Sequence, residues 1–379
     1  MRDFARFFVV IAVGAIVIAG CSSSSISSST TADTPNYASL GPNVVGVTTL
    51  DLGSAGSLGE RMATVFYPGN KADLSGPAPY HHFSYTAADT IPASLRSILP
   101  AQFDTTTVTS AWADLPASKA GPYPVVLFSH GFGGERLQYS KILTGIASWG
   151  YVVVSADYLE RGLAAQALGV KGVWTPARDT TTMTESLAAT LTASGTSSSV
   201  LHGVANPKLL ATAGHSQGGQ TAFDALANPN VKTAIGWAPV GPTGTPSMKP
   251  VMLIGAEGDI VVKPSRVRTT YESFRGPRSL IEISGEGHNT YTDICTSIRS
   301  GGGGLIGYAV ANHLVKPALV PAALNGCQEK DLVATRFWPI VQYYTVFQLK
   351  AHLGNGPTSV PTPASGAFPG FTVTVTQAG

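Results

Sequence analysis

The sequence predicts an α/β domain: a doubly wound, mostly parallel sheet with helices on both faces. Two observations lead there. Short, unbroken apolar runs such as Pro124–Ser129 (PVVLFS) and Tyr151–Ala156 (YVVVSA) suit strands buried on both faces of a parallel sheet. Segments of helical length and pattern alternate with these runs, and such alternation makes βαβ units.

In chain order, Val44–Leu52 and Arg61–Tyr67 read as strands, rich in β-branched or alternating residues and closed by Gly or Pro. Asn70 to about Pro122 is rich in Pro, Ala, Ser and Thr, and reads as a long excursion with a short helix or two. After the PVVLFS strand come a helix over Leu137–Trp149 and the YVVVSA strand. Arg178–Ala193 reads as helix, Leu209–Gly214 as strand and Gln217–Ala227 as helix. Thr233–Trp237 and Val251–Gly255 follow as strands, Pro264–Phe274 as helix and Ser279–Ile283 as strand. Asp331–Leu353 closes the domain as a long helix with Pro339 as a point of kinking. The domain is thus expected over 41–354, and 355–379, rich in Pro, Gly and Thr, reads as a tail lying loosely on the surface. No internal repeat is present.

The composition fits a globular protein: 44% of 379 residues are hydrophobic and only 12% charged. With 24 basic and 22 acidic side chains the net charge is +2 and there is no basic run, so nothing points to a nucleic-acid or polyanionic partner, and none is expected. No His/Cys cluster has zinc spacing, so neither a metal nor another cofactor is expected. Oligomeric state is not legible, and a monomer is compatible with the sequence.

Residues 1–20 read as an export signal, with Arg2 and Arg6 ahead of the apolar run Phe7–Ala19, which is too short to span a bilayer. The run ends in Ile18-Ala19-Gly20-Cys21, which resembles the lipobox of bacterial lipoproteins. That resemblance implies cleavage before Cys21, a lipid on its thiol and attachment to the cell membrane or envelope; the alternative is a plain secretory signal with a chance Cys. Residues 21–40, opening on the Ser-rich stretch Ser22–Thr31, then read as a flexible tether. With Cys21 so assigned, Cys295 and Cys327 remain, and in an exported protein they most simply pair; two buried free thiols are the alternative. A bridge closing such a loop would contribute about 3–4 kcal/mol. It is expected to pin the loop that follows His288, and the Gly301–Gly304 run to form a flexible tip inside it.

Gly214-His215-Ser216-Gln217-Gly218 matches G-x-S-x-G between a predicted strand and a predicted helix, the setting the motif requires for a nucleophilic serine. An acid and a base are then expected in the order Ser, Asp or Glu, His. Asp259 follows the buried strand Val251–Gly255, and loops at the carboxyl ends of such strands hold catalytic groups; Glu257 is its rival, two residues earlier. His288, just past the strand Ser279–Ile283, is the candidate base. Trp237 is a candidate either for the core or for the wall of an apolar substrate pocket, and Phe132 for that pocket's rim.

These features together resemble the α/β-hydrolase superfamily. Ser129-His130-Gly131-Phe132-Gly133-Gly134 is similar to its oxyanion loops, which implies the backbone N–H groups of Phe132 and Gln217 as oxyanion donors and His130 as a shaper of the loop. The stretch Val125–Asp157, with Gly41-Pro42, Val45–Thr48 and Phe66-Tyr67-Pro68, resembles the platelet-activating-factor acetylhydrolase branch. His288-Asn289 with Thr292-Asp293 echoes its bacterial relatives, and Asp259 resembles the acid of bacterial cutinases and dienelactone-hydrolase-like esterases. Two departures stand out: Leu159-Glu160-Arg161, and the segment 162–207, both expected to border the acyl or alcohol pocket. The resemblance implies hydrolysis of an acyl ester (short-chain, lipid or polyester) through an acyl-Ser216 intermediate. The alternatives are thioesterase, amidase or cofactor-free haloperoxidase chemistry on the same triad, or an inactive envelope protein binding a ligand in the cleft.

Overall fold

The computed structural model describes residues 36–76, 79–300, 304–313 and 315–379. The signal segment, Cys21, the Ser-rich stretch and all but Gly304 of the glycine run lie outside them.

The strands are β1 (Val45–Ser54), β2 (Glu60–Pro68), β3 (His82–Thr86), β4 (Thr106–Ala113), β5 (Tyr123–Ser129), β6 (Val152–Ala156), β7 (Ala205–His215), β8 (Val231–Trp237), β9 (Val251–Ala256), β10 (Arg278–Ile283) and β11 (Val373–Ala378). The helices are α1 (Ser140–Ala147), α2 (Leu163–Ala167), α3 (Pro176–Gly195), α4 (Gln217–Asp224), α5 (Pro264–Ser273), α6 (Ile294–Ser300), α7 (Gly304–Ala311), α8 (Val320–Leu324) and α9 (Ala334–Leu353), the last with Pro339 inside it. Among the described residues the strands form one mixed sheet, ordered β11-β10-β9-β8-β7-β5-β6-β2-β1-β4-β3. The centre, from β6 through β5, β7, β8 and β9 to β10, is parallel throughout.

Alternation along these strands builds two cores. Val126, Phe128, Val153, Ala213, Ile235, Met252 and Ile254 face one layer, closed by α1 and α9. Val125, Leu127, Val154, Leu210, Ala234 and Leu253 face the other, with Met183 of α3, Phe223 of α4 and Val267 of α5. Strands sandwiched this way are buried on both faces, which is why PVVLFS and YVVVSA carry no polar alternation.

Three expectations need correction. The excursion 70–122 is not only short helices: β3 and β4 extend the sheet beyond β1. The tail 355–379 does not lie loosely, because β11 pairs antiparallel with all of β10, from Val373 opposite Ile283 to Ala378 opposite Arg278. The tether stops short of residue 40. Tyr37 is buried against Trp149 and Tyr343, and the Gln342 side chain donates to the carbonyls of Tyr37 and Ser39 at 2.7 Å each.

Candidate active site

Ser216 stands between β7 and α4 with φ 56° and ψ −119°, a left-handed conformation that a residue with a Cβ adopts only under constraint. Backbone bonds on both sides impose it: Ser216 N–H donates to Trp237 O (2.8 Å), and its carbonyl accepts from Val240 N–H (2.9 Å). The flanking glycines are obligatory. A Cβ on Gly214 would meet Gly218 O at 2.1 Å, and one on Gly218 would meet Ser129 O at 1.9 Å. The turn places the serine at the N-terminus of α4, where Gln217 N–H has no acceptor within the helix.

Asp259 and His288, the candidate acid and base, meet. His288 Nδ1–H donates to Asp259 Oδ2 at 2.7 Å, with both side chains buried. Asp259 Oδ1 accepts from the N–H groups of Val261 and Val262, both at 2.8 Å, which leaves Oδ2 for the imidazole. Glu257, the rival acid, is exposed and makes no such contact among the described residues. Facing them is the loop after β5: a Cβ on Gly131 would lie 3.2 Å from Ser216 Cβ. Phe132, next in that loop, is 60% exposed, and Ile260 and Val261, which directly follow Asp259, are exposed too.

Two residues that tie these loops together carry no sequence signal. His215 Nε2 lies 3.0 Å from His288 O, a carbonyl that can only accept, so the proton is on Nε2. Nδ1 then accepts from Tyr139 Oη–H (2.9 Å), and that oxygen in turn accepts from Gly131 N–H (3.4 Å). His215 thus links the loops of nucleophile, base and Gly131. Burial, then the neighbouring His288, keeps its pKa well below the usual range, so it stays neutral.

The second is Asn325. Its Oδ1 accepts from His288 N–H (2.8 Å) and Ile260 N–H (3.1 Å), while Nδ2 donates to Gly258 O (3.0 Å). One amide therefore bridges the acid loop and the base loop. The Cys295–Cys327 disulfide, two residues further on, closes the segment and joins it to α6 behind the base. Asn325→Ala is expected to lower kcat about 10- to 100-fold with little change in KM, since it loosens the Asp259–His288 geometry and not substrate binding. Steady-state kinetics on any turned-over ester checks this; an unchanged kcat contradicts it.

His130 is held within its loop on both ring nitrogens. Its Nε2 accepts from Tyr158 N–H (3.0 Å), so Nδ1–H donates to Gly131 O (2.8 Å). Arg161 does not border a pocket. It is fully buried, pairs with Asp179 of α3 (2.8 Å), and donates to Ser129 Oγ (2.6 Å) and to His130 O. Trp237 also requires correction as a pocket candidate. It is wholly buried in the core between Phe128 and Tyr291, with Nε1–H on Thr345 Oγ1 (3.0 Å).

The architecture matches a ferulic acid esterase from Streptomyces cinnamoneus with a TM-score of 0.58, over 88% of this chain and 96% of that one, at 20% identity. The fold is that of an α/β-hydrolase. A family model described as chlorophyllase matches residues 103–280 of this chain, and one described as platelet-activating factor acetylhydrolase, isoform II, matches 27–168. The platelet-activating factor acetylhydrolase of Cavia porcellus is 29% identical over 129 residues. That match spans 33% of this chain and 29% of the relative's length.

One carboxyl of the loop is out of its usual state. Glu135 is buried; Oε2 accepts from Leu137 N–H (2.6 Å), and Oε1 has no partner among the described residues. Burial pushes its pKa up to about 8. Between about pH 4.5 and 8 the folded chain therefore holds a proton that the unfolded chain has lost, so stability falls as pH rises through that window. Glu135→Gln keeps the acceptor and removes the titration. It is expected to flatten the decline of Tm with pH and to melt several degrees above wild type at pH 9; parallel Tm profiles contradict this.

Proposed function

We propose that the protein is a serine ester hydrolase that acts on acyl esters through an acyl-Ser216 intermediate. The observation that carries this reading is the constrained Ser216 at the head of α4, whose neighbour His215 bonds the backbone of His288 in the Asp259–His288 pair. The descriptions of the matched families and relative support it, all naming or implying esterases.

In this reading His288 takes the Ser216 proton as the hydroxyl attacks the ester carbonyl, then returns it to the leaving alcohol. Asp259 fixes the tautomer with Nδ1 protonated, so that Nε2 is the basic nitrogen, and offsets the charge of the imidazolium. The negative oxygen of the tetrahedral intermediate is held by the N–H groups of Phe132 and Gln217, reinforced by the helix dipole of α4. Water then repeats the sequence on the acyl-enzyme. The exposed apolar side chains of Phe132, in the loop after β5, and of Ile260 and Val261, next to Asp259, suit an acyl ester over a charged peptide substrate.

We further infer that the chain is exported and held at a membrane through lipid on Cys21. The run Phe7–Ala19 ending in Ile18-Ala19-Gly20-Cys21 supports this, and so does a disulfide, which persists in oxidising compartments. No helix among the described residues is long and apolar enough to cross a membrane. The test of the catalytic reading is turnover of p-nitrophenyl butyrate by the purified protein. Failure of the folded protein to hydrolyse any activated ester would leave the binding-protein alternative.

A further inference from the structure

Beside the catalytic loops lies a cavity of about 180 Å³ that the reaction described above does not use. Its walls are apolar, with Ile91, Leu95 and Leu99 from the excursion, Leu163 from α2 and Ile306 and Ala309 from α7. One carboxyl interrupts them. Asp293 is 1% exposed; Oδ2 accepts from Tyr85 Oη–H (3.0 Å) and Lys141 N–H (3.2 Å), and Oδ1 has no partner among the described residues. A buried acceptor left unpaired is costly, and a ligand that satisfies it gains correspondingly.

We propose that this pouch receives one side of the ester substrate, an apolar ring or short branched chain that carries a hydroxyl for Asp293. The size follows from the volume: a dry apolar cavity of about 150 Å³ holds benzene, so this one takes roughly a ring and one more heavy atom, its hydroxyl. The hydroxyl follows from the carboxyl. Burial raises the Asp293 pKa to about 7, so both of its states are populated near neutrality. A hydroxyl donates to the carboxylate and accepts from the acid, whereas an ether only accepts and an ammonium only donates. The assignment to substrate rests on the esterase reading and on continuity of the loops. Asp293 lies five residues past His288, and its N–H donates to Gln138 O at 2.6 Å. The Gln138 side chain in turn packs on Gly134, at the end of the loop that carries Phe132.

Two measurements separate this proposal from the reading it rests on. Calorimetry with 4-ethylphenol and 4-ethylanisole on Ser216→Ala reads the pouch without turnover. The phenol is expected to bind about tenfold more tightly, the worth of one hydrogen bond to a charged group. Ala309→Phe, which fills the pouch, should abolish both, and Asp293→Asn should shrink the preference. Wild-type kcat/KM is then compared for two ester pairs: methyl 3-(4-hydroxyphenyl)propanoate and 2-(4-hydroxyphenyl)ethyl butyrate, each against its methoxy counterpart. A hydroxyl preference in the first pair places the acyl side in the pouch; in the second, the alcohol side; either supports the proposal. In that case Ala309→Phe erases the preference while its circular-dichroism spectrum stays native. No phenol binding overturns the proposal even if simple esters are hydrolysed. Phenol binding with no preference in either pair overturns the substrate assignment and makes the pouch a site for a separate molecule. If no ester at all is hydrolysed, the esterase reading fails and the substrate assignment with it, while calorimetry still reports on the pouch.

Discussion

Ser216→Ala is expected to lower kcat for p-nitrophenyl butyrate by about 10⁴- to 10⁶-fold, the loss found when a triad nucleophile is removed. The fold should not suffer. Ser216 accounts for a strained backbone (φ 56°), and Ala inherits the same strain, so Tm should stay close to wild type. Ser216→Gly supplies a control from the same geometry. Glycine adopts positive φ without a Cβ clash, so this variant should be equally inactive and yet melt above Ser216→Ala. His288→Ala should cost about as much activity as Ser216→Ala, and Asp259→Ala less, because the acid orients a base that can still act. If Ser216→Ala retains a tenth of wild-type turnover, another group performs the attack.

Arg161→Leu is expected to destabilise the protein by about 3–5 kcal/mol, the size of effect seen when one partner of a buried ion pair is removed. Its guanidinium is fully buried and joins three elements: Asp179 of α3, Ser129 at the end of β5, and the carbonyl of His130. In the leucine variant the Asp179 carboxylate keeps only the Thr221 hydroxyl (2.9 Å), and Ser129 and His130 lose a donor. Asp179→Leu in the same chain removes the stranded charge, so the double variant should be less destabilised than Arg161→Leu alone. Equilibrium urea unfolding measures both. A loss under about 1 kcal/mol for the single variant, as for a surface pair, contradicts the account.

The Ser216 turn and the Asp259–His288 pair were legible because they are written locally: a serine on a forced turn, and a carboxylate and an imidazole just past buried strands, each with its signal within a few residues. The residues that hold those loops together were not. Asn325 reaches His288 and Gly258 from 37 and 67 residues away, through a segment whose position depends on a disulfide, and nothing in Leu324-Asn325-Gly326-Cys327 marks its amide. His215 occupies the variable position of the serine motif, and its links to Tyr139 and His288 exist only once three loops meet.

The sheet's centre was legible for the same local reason, and its edges were less so. In β4 the inward side chains are Thr107, Thr109 and Ala111 while Val108 is 54% exposed, so the hydrophobic pattern runs against the burial. In β11 the run VTVTQA follows a Pro- and Gly-rich stretch, and its partner β10 lies about 90 residues earlier in the chain. Arg161 was misplaced, and of the two readings of Trp237 only the core one holds, for a related reason. Each stands near the site in sequence, but Trp237 points below the sheet's carboxyl edge into the α1–α9 core, and Arg161 serves as a buried tie between elements.

The most direct test of the central claim is covalent. The protein is treated with diisopropyl fluorophosphate, digested, and mapped by peptide mass spectrometry. The account predicts one stoichiometric adduct, on Ser216, with labelling lost in Ser216→Ala and slowed in His288→Ala. An adduct on another residue, or none on a preparation that hydrolyses p-nitrophenyl butyrate, would contradict it.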